Sequence, residues 1–358
     1  MNQALGEFLG WRKHGYADAK ALGECLQALV HEGLDHLPLP AGGQTLERWR
    51  GLACVAGHDL GLCKLYEGHT DALAIMTELG APPPSASSTW GMWAAEPPQA
   101  KVSITPDGDA GDHTDGQPVR LDGRKAWCSG AAVLSHALIT AWDEQNRQQL
   151  VAVALNQPGV RITTEGWRAV GMGATGSVEV QFERAQGYRI GSSGQYLTRS
   201  GFWHGAIGIA ACWYGAANAL ASRLLVQANK HAEPHSLAHL GAVDSALHSA
   251  ASVLRDSAQY LDDQPTVNAE HVARRSRAVV EATAELVILH VGRALGAGPY
   301  CKESHFARLS ADLPVFLRQS HAERDLAALG QLTSDSFTNH SLDSESDVGR
   351  QPTRMWGL

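Results

Sequence analysis

The residues of this 358-residue chain best suited to chemistry sit in a few short stretches. One is Gly123-Arg124-Lys125-Ala126-Trp127-Cys128-Ser129-Gly130-Ala131, where an aromatic ring and a hydroxyl lie two positions apart between glycines. On its own terms Trp127 reads as a core aromatic of its segment. A second stretch holds Trp167 and Gly171-Met172-Gly173-Ala174-Thr175-Gly176-Ser177-Val178-Glu179-Val180-Gln181-Phe182. A third, Tyr66-Glu67-Gly68-His69, lies in a helical region, and Glu67 reads there as a helix-surface carboxylate. His231, His235 and His239 with Glu233 have the spacing of ligands on a helix face, but Pro234 breaks that geometry and no metal site is expected. Arg274-Arg275-Ser276-Arg277 reads as a solvated helix face, and Gly296-Ala297-Gly298 as a turn where a backbone can end a helix or approach a cofactor. The chain carries no Walker A motif, no GxSxG and no Rossmann fingerprint in a strand–turn–helix setting.

These stretches lie in three kinds of sequence. From Tyr16 to Leu79 leucines fall on one helical face, and Ala81-Pro82-Pro83-Pro84-Ser85 breaks the pattern. From Thr89 to Ile190 short β-branched runs, such as Ala137-Leu138-Ile139-Thr140 and Val178 to Phe182, alternate with Gly and Asp clusters, a strand-and-turn pattern. From Gly201 the spacing predicts four helices over about 200–229, 238–261, 267–296 and 304–330, an antiparallel bundle. The expected layout is an N-terminal helical domain (1–87), a middle β-barrel or sandwich (88–192), a C-terminal four-helix bundle (193–331) and a tail (332–358), so mainly α with a central β domain.

Formal charge is −8, which argues against nucleic acid and against an anionic membrane surface as partners. Six scattered cysteines without a CxxC pair, and an N-terminus without the apolar core of a signal peptide, point to free thiols and a cytoplasmic location. The apolar run from Ile207 to Leu225 is broken by Gly208, Gly215 and Asn218 and reads as a buried helix, not a membrane span.

Helices, then a β block with those two signatures, then a helical bundle: this order resembles the acyl-CoA dehydrogenase superfamily. The resemblance implies a homodimer or homotetramer that binds FAD. Ala95-Glu96-Pro97 resembles the family's Thr-Glu-Pro segment, and Lys125 to Ser129 its Lys-x-Trp-x-Thr/Ser segment. It therefore makes Glu96, Trp127 and Ser129 flavin contacts, and Gly296 and Gly298 the turn that reaches a neighbouring subunit's FAD. The usual Gly-Ser-Asp turn and Arg-Phe-Gly segment are absent. The region Lys230 to Leu240 offers only histidines, with Arg223 nearby as a stand-in.

Dehydrogenation of an acyl thioester needs a carboxylate to take the α-proton while hydride leaves to the flavin. Counting on from Asp312, which matches the family's Arg-Asp pair, the usual Glu falls at Ser320. The resemblance places a second base position near His204. His204, and His321 beside Ser320, can act as acid or base near neutral pH. Ser320, His321 and His204 are thus the candidate catalytic residues. One expectation is an acyl thioester dehydrogenase with a non-standard base, passing electrons to an electron-transfer flavoprotein. A second rests on Cys128-Ser129-Gly130-Ala131, which resembles the superfamily's flavin-dependent monooxygenases supplied by a flavin reductase. A third is a non-catalytic member that keeps only the fold.

Overall fold

The computed structural model describes residues 1–12, 14–107 and 116–343, with side chains through 336. Four helices come first: α1 (Asn2–Gly10), α2 (Ala19–His31), α3 (Thr45–His58) and α4 (Leu60–Glu78). Aspartates start two of them. The Asp18 carboxylate accepts from Ala21 N, and Asp59 from Leu62 N, each at 2.9 Å, meeting amides that a first turn leaves unpaired.

Seven strands follow: β1 (Trp90–Trp93), β2 (Val102–Pro106), β3 (Pro118–Cys128), β4 (His136–Trp142), β5 (Gln148–Ala154), β6 (Val160–Ile162) and β7 (Val178–Ile190). Pairing runs β4–β2–β3–β7–β5 and returns to β4, closing a ring; β1 lies parallel to β4, and β6 lies on β7. The strand β4 is buried from Ala137 to Ala141 on both of its faces. Leu138 packs with Ala72, Ile75 and Met76 of α4, while Ile139 and Ala141 join the main core. That double burial explains its unbroken apolar run.

The chain then returns to helices: α5 (Gln195–Thr198), α6 (Gly201–Lys230), α7 (Pro234–Asp263), α8 (Glu270–Leu295), α9 (Ala297–Lys302), α10 (Ser304–Leu317) and α11 (Glu323–Asp343). Among the described residues α6 is the one helix long and apolar enough to cross a membrane. Its apolar face is core, packed on α3 and α8. The α3 contact is backbone to backbone, because a Cβ at Gly215 would lie 2.2 Å from the carbonyl oxygen of Ala53.

Two expectations need correction. The helix expected over 304–330 is two helices, parted at Arg318–Ala322, where Ala322 takes a positive φ of 44°. The joint is fixed by side chains: Ser320 Oγ accepts from Ala322 N, and the Asp325 carboxylate accepts from His321 N. The tail expected over 332–358 begins as part of α11, helical to Asp343; 344–358 lie outside the described residues.

Candidate active site

Strand β3 pairs with β7 along nearly its whole length, but the register slips between Lys125 and Cys128. At that bulge Trp127 adopts a left-handed backbone (φ 57°), and its side chain turns outward, 52 % exposed, between buried Ala126 and Cys128. A β-bulge re-aims a side chain in this way, and a left-handed conformation at a bulky residue costs energy that the surroundings must hold. The reading of Trp127 as a core aromatic is therefore wrong.

The bulge is anchored from below. Lys125 is buried; its Nζ donates to the Thr140 carbonyl (2.9 Å) and Oγ1 (2.7 Å) and lies 3.4 Å from Glu96 Oε1. Thr140 Oγ1 donates to the same Glu96 oxygen at 2.6 Å. Burial pulls the Lys125 ammonium down, and the Glu96 carboxylate opposes that. Glu96 thus spends its charge on Lys125, so its expected flavin contact has a structural competitor.

Ser129 begins a chain of hydroxyls. Its Oγ lies 2.7 Å from Ser177 Oγ, which lies 2.8 Å from Thr175 Oγ1, and Thr175 donates to the Met172 carbonyl at 2.7 Å. Trp93 Nε1 donates to the Ser129 carbonyl and Trp167 Nε1 to that of Met172. The two β signatures therefore meet at Ser129 and Ser177. The second also docks on the helices. Met172, with φ 55°, donates its N–H to Asp312 Oδ1, and a Cβ at Gly171 would fall 2.0 Å from the Ala311 carbonyl oxygen. Burial raises the Asp312 carboxyl to about 6, opposed by the Met172 N–H.

Helix α4 abuts the same stretch: a Cβ at Gly130 would meet Leu65, and one at Gly68 would meet the Met92 amide. On the adjoining face of α4, Glu67 is buried and held by Lys64 at 2.9 Å. Burial raises its carboxyl, and Lys64 holds it back. Glu67 is not the surface carboxylate that the sequence pattern implies, because α6 and α10 pack against α4.

The expected catalytic residues are not gathered. Ser320 is buried in the α10–α11 joint. His321 lies beside it with its side chain 60 % exposed and Nδ1 3.8 Å from Asp325. His204 is buried, and neither ring nitrogen has a partner. One turn on, Gly208 packs on Leu52 and Trp49, so this face of α6 meets α3. Burial lowers the His204 imidazole, with Glu78 and Asp262 opposing. Among the described residues no hydrogen bond joins His204, Ser320 or His321 to Trp127, Ser129 or Glu96. Gly296 ends α8 at φ 62°, and Gly298 lies in α9; a Cβ at either would meet nothing. Arg223 is forked onto Glu303 at 2.7 and 2.8 Å, which removes it as a free phosphate ligand. His239 meets His290, not His231 or His235, and no metal-binding group occurs among the described residues.

Thr140, Ser177 and Thr175 are the site residues that sequence reasoning passed over. Ser177 and Thr175 lie inside a stretch already singled out, and their hydroxyl spacing was the available signal. Chemically, the site presents an exposed indole face beside a buried hydroxyl relay, a surface suited to a flat heteroaromatic ring with polar edges.

No family model matches the chain, and no curated protein matches it in sequence. Solved structures do match in shape. FMN-bound TdsC from Paenibacillus sp. A11-2 superposes with a TM-score of 0.71 at 17 % identity, over 87 % of this chain and 95 % of that one. Methanesulfinate monooxygenase MsuC from Pseudomonas fluorescens gives 0.71 at 16 %, over 99 % of both chains. KijD3 in complex with FMN and a dTDP-linked amino-keto sugar gives 0.72 at 16 %, over 99 % and 93 %. The chain therefore has the acyl-CoA dehydrogenase-like fold of these proteins.

Proposed function

We propose that this protein is a flavin-dependent monooxygenase that takes reduced FMN from a separate reductase. The observation that carries the reading is the α10–α11 joint. Where the resemblance puts a dehydrogenase's carboxylate, the chain has Ser320, whose oxygen already accepts the Ala322 amide. The names of similarly folded proteins support it: TdsC is a dibenzothiophene monooxygenase and MsuC a methanesulfinate monooxygenase. FMN fits better than the FAD implied by resemblance, since Arg223, the stand-in for the diphosphate ligand, is spent on Glu303. FMN also occupies TdsC and KijD3.

Reduced flavin, when bound, supplies the electrons that activate dioxygen. The chain's residues do the rest. Trp127 would stack on the flavin, Ser129 would hydrogen-bond it through a hydroxyl oriented by Ser177 and Thr175, and His321 would move a proton from the exposed side of the joint. A homodimer or homotetramer in the cytoplasm remains part of this reading.

A specific observation keeps dehydrogenation of an acyl thioester as a second reading. Glu67 is a buried carboxylate with a raised pKa on α4, the helix that abuts the Gly130 stretch, as a base requires. One set of measurements separates the two. FMN and FAD are titrated into the protein and followed between about 350 and 500 nm. The oxidised complex then meets an acyl-CoA panel without oxygen, and oxygen uptake is measured with NADH, a flavin reductase, and dibenzothiophene or methanesulfinate. The monooxygenase reading expects FMN binding weakened about tenfold in W127A, no bleaching, and uptake only with the reductase. Bleaching by any acyl thioester, lost in E67Q, would establish the dehydrogenase instead.

A further inference from the structure

Arg274-Arg275-Ser276-Arg277 is not a solvated helix face, because two of its arginines turn inward. The Arg274 guanidinium lies 4.9 Å over the Trp203 ring and pairs with Glu270 (2.8 Å) and Asp325 (3.2 Å). The half-buried Arg277 guanidinium lies 4.8 Å over the ring of Trp213, which is wholly buried. Arg277 donates from Nη1 to the Ala206 carbonyl at 2.8 Å and from Nη2 to the Gln319 carbonyl at 3.3 Å. It has no carboxylate partner. Every carboxylate close enough to act on it is engaged elsewhere: Asp325 by Arg274 and His321 N, Glu281 by Arg318, and Glu67 by Lys64.

A guanidinium half withdrawn from water without a counter-ion is costly, and this one has five N–H donors of which two are used. The ring beneath it adds a second unmet donor, since Trp213 Nε1 is buried without an acceptor. Surplus donors and surplus positive charge at one point define a place for an oxyanion, and the fork of Arg matches two oxygens of a carboxylate or sulfinate. Gln319 immediately precedes Ser320 and His321, so an anion held at Arg277 lies beside the α10–α11 joint that carries them.

We propose that Arg277 is the specificity-determining residue for an anionic substrate, receiving its carboxylate or sulfinate group between α6, α8 and the α10–α11 joint. Calling that anion a substrate rests on the monooxygenase reading; its binding does not.

Calorimetry on the full-length protein, with and without FMN, tests this with benzoate, benzenesulfinate and the neutral benzamide. The two anions should bind at least about tenfold more tightly than benzamide to the wild type. R277Q, shown by circular dichroism to be folded, should lose that preference. R277K should keep part of it, and FMN affinity should stay within about twofold of wild type. The proposal is overturned if neither anion binds, if benzamide binds as well as benzoate, or if R277Q keeps the preference. It is overturned equally if R277Q loses FMN and inorganic phosphate displaces FMN from wild type, for Arg277 would then hold the flavin phosphate. Absence of FMN binding with an intact anion preference would sink the flavin reading and leave the anion site standing.

Discussion

Lys125 and Arg277 are two cations drawn into the protein, Lys125 fully and Arg277 by half, and the fold treats them in opposite ways. Lys125 lies within the β block, where Thr140 gives it two oxygens and Glu96 a charge. Each member of that knot also engages another, because Thr140 donates to Glu96. Arg277 lies among helices with two backbone carbonyls and an indole face for company, and every neighbouring carboxylate is taken. A completed network holds structure, and this one fixes β3 to β4 directly under the bulge that turns Trp127 outward. An incomplete network retains binding capacity. Burial alone does not distinguish a functional charge from a structural one; the state of its partners does.

The largest test of this contrast is K125M. It removes the cation while leaving Glu96 and Thr140 in place, so it should cost about 4 kcal/mol in urea unfolding, as breaking a buried pair does. A loss below about 1 kcal/mol would show that the knot is not structural.

Asp312 extends the contrast to a carboxylate that accepts one backbone N–H. Its folded-state pKa, about 6, lies above the ordinary 3.8. The folded state therefore holds the proton more tightly, so its contribution to stability is complete below about pH 4 and disappears as pH rises through about 6. D312N should flatten that decline by up to about 3 kcal/mol, read from urea midpoints between pH 4 and 7. Identical pH profiles for the variant and wild type would refute it.

What the sequence disclosed follows the same division. The helical and β segments were legible because apolar spacing records local packing: Ala137 to Thr140 and Val178 to Phe182 are strands, and α6 is a core helix. Strand β3 was harder to recognise, since Arg120, Asp122, Arg124 and Lys125 look like a polar loop until Lys125 finds Thr140 across the ring and Glu96 in the β1–β2 connection. Trp127 was legible as a motif but not in its orientation, because a register slip depends on the partner strand. The inward turn of Arg277 and the burial of Glu67 were not legible. Both depend on which helix covers which face, information carried by contacts distant in sequence. The division of 304–330 was likewise hidden, since it depends on Asp325 and Ser320 capturing amides in a short joint.

R277Q returns to the other half of the comparison. It gives up two hydrogen bonds to carbonyls but relieves an unpaired charge, so its stability cost should be near 1 kcal/mol, well below that of K125M. Differential unfolding of the two variants measures the contrast directly. If R277Q proved as destabilising as K125M, Arg277 would be a structural clasp between α6 and the joint.

The smallest expected effect belongs to His204, a neutral counterpart of Arg277. It too is buried with unmet nitrogens, but it faces α3, away from the joint. Because burial lowers its folded-state pKa, wild-type stability should fall as pH drops below the ordinary 6.5. H204L replaces an unsatisfied polar ring with an apolar side chain at a site that already excludes water. It should gain about 1 kcal/mol at pH 7 and lose part of the acid sensitivity. Thermal melts at pH 5 and 7 read both effects. A stabilised H204L that keeps oxygen uptake assigns His204 to packing. A variant of unchanged stability that loses turnover assigns it to proton transfer, and unmet donors would then mark function on both faces of α6.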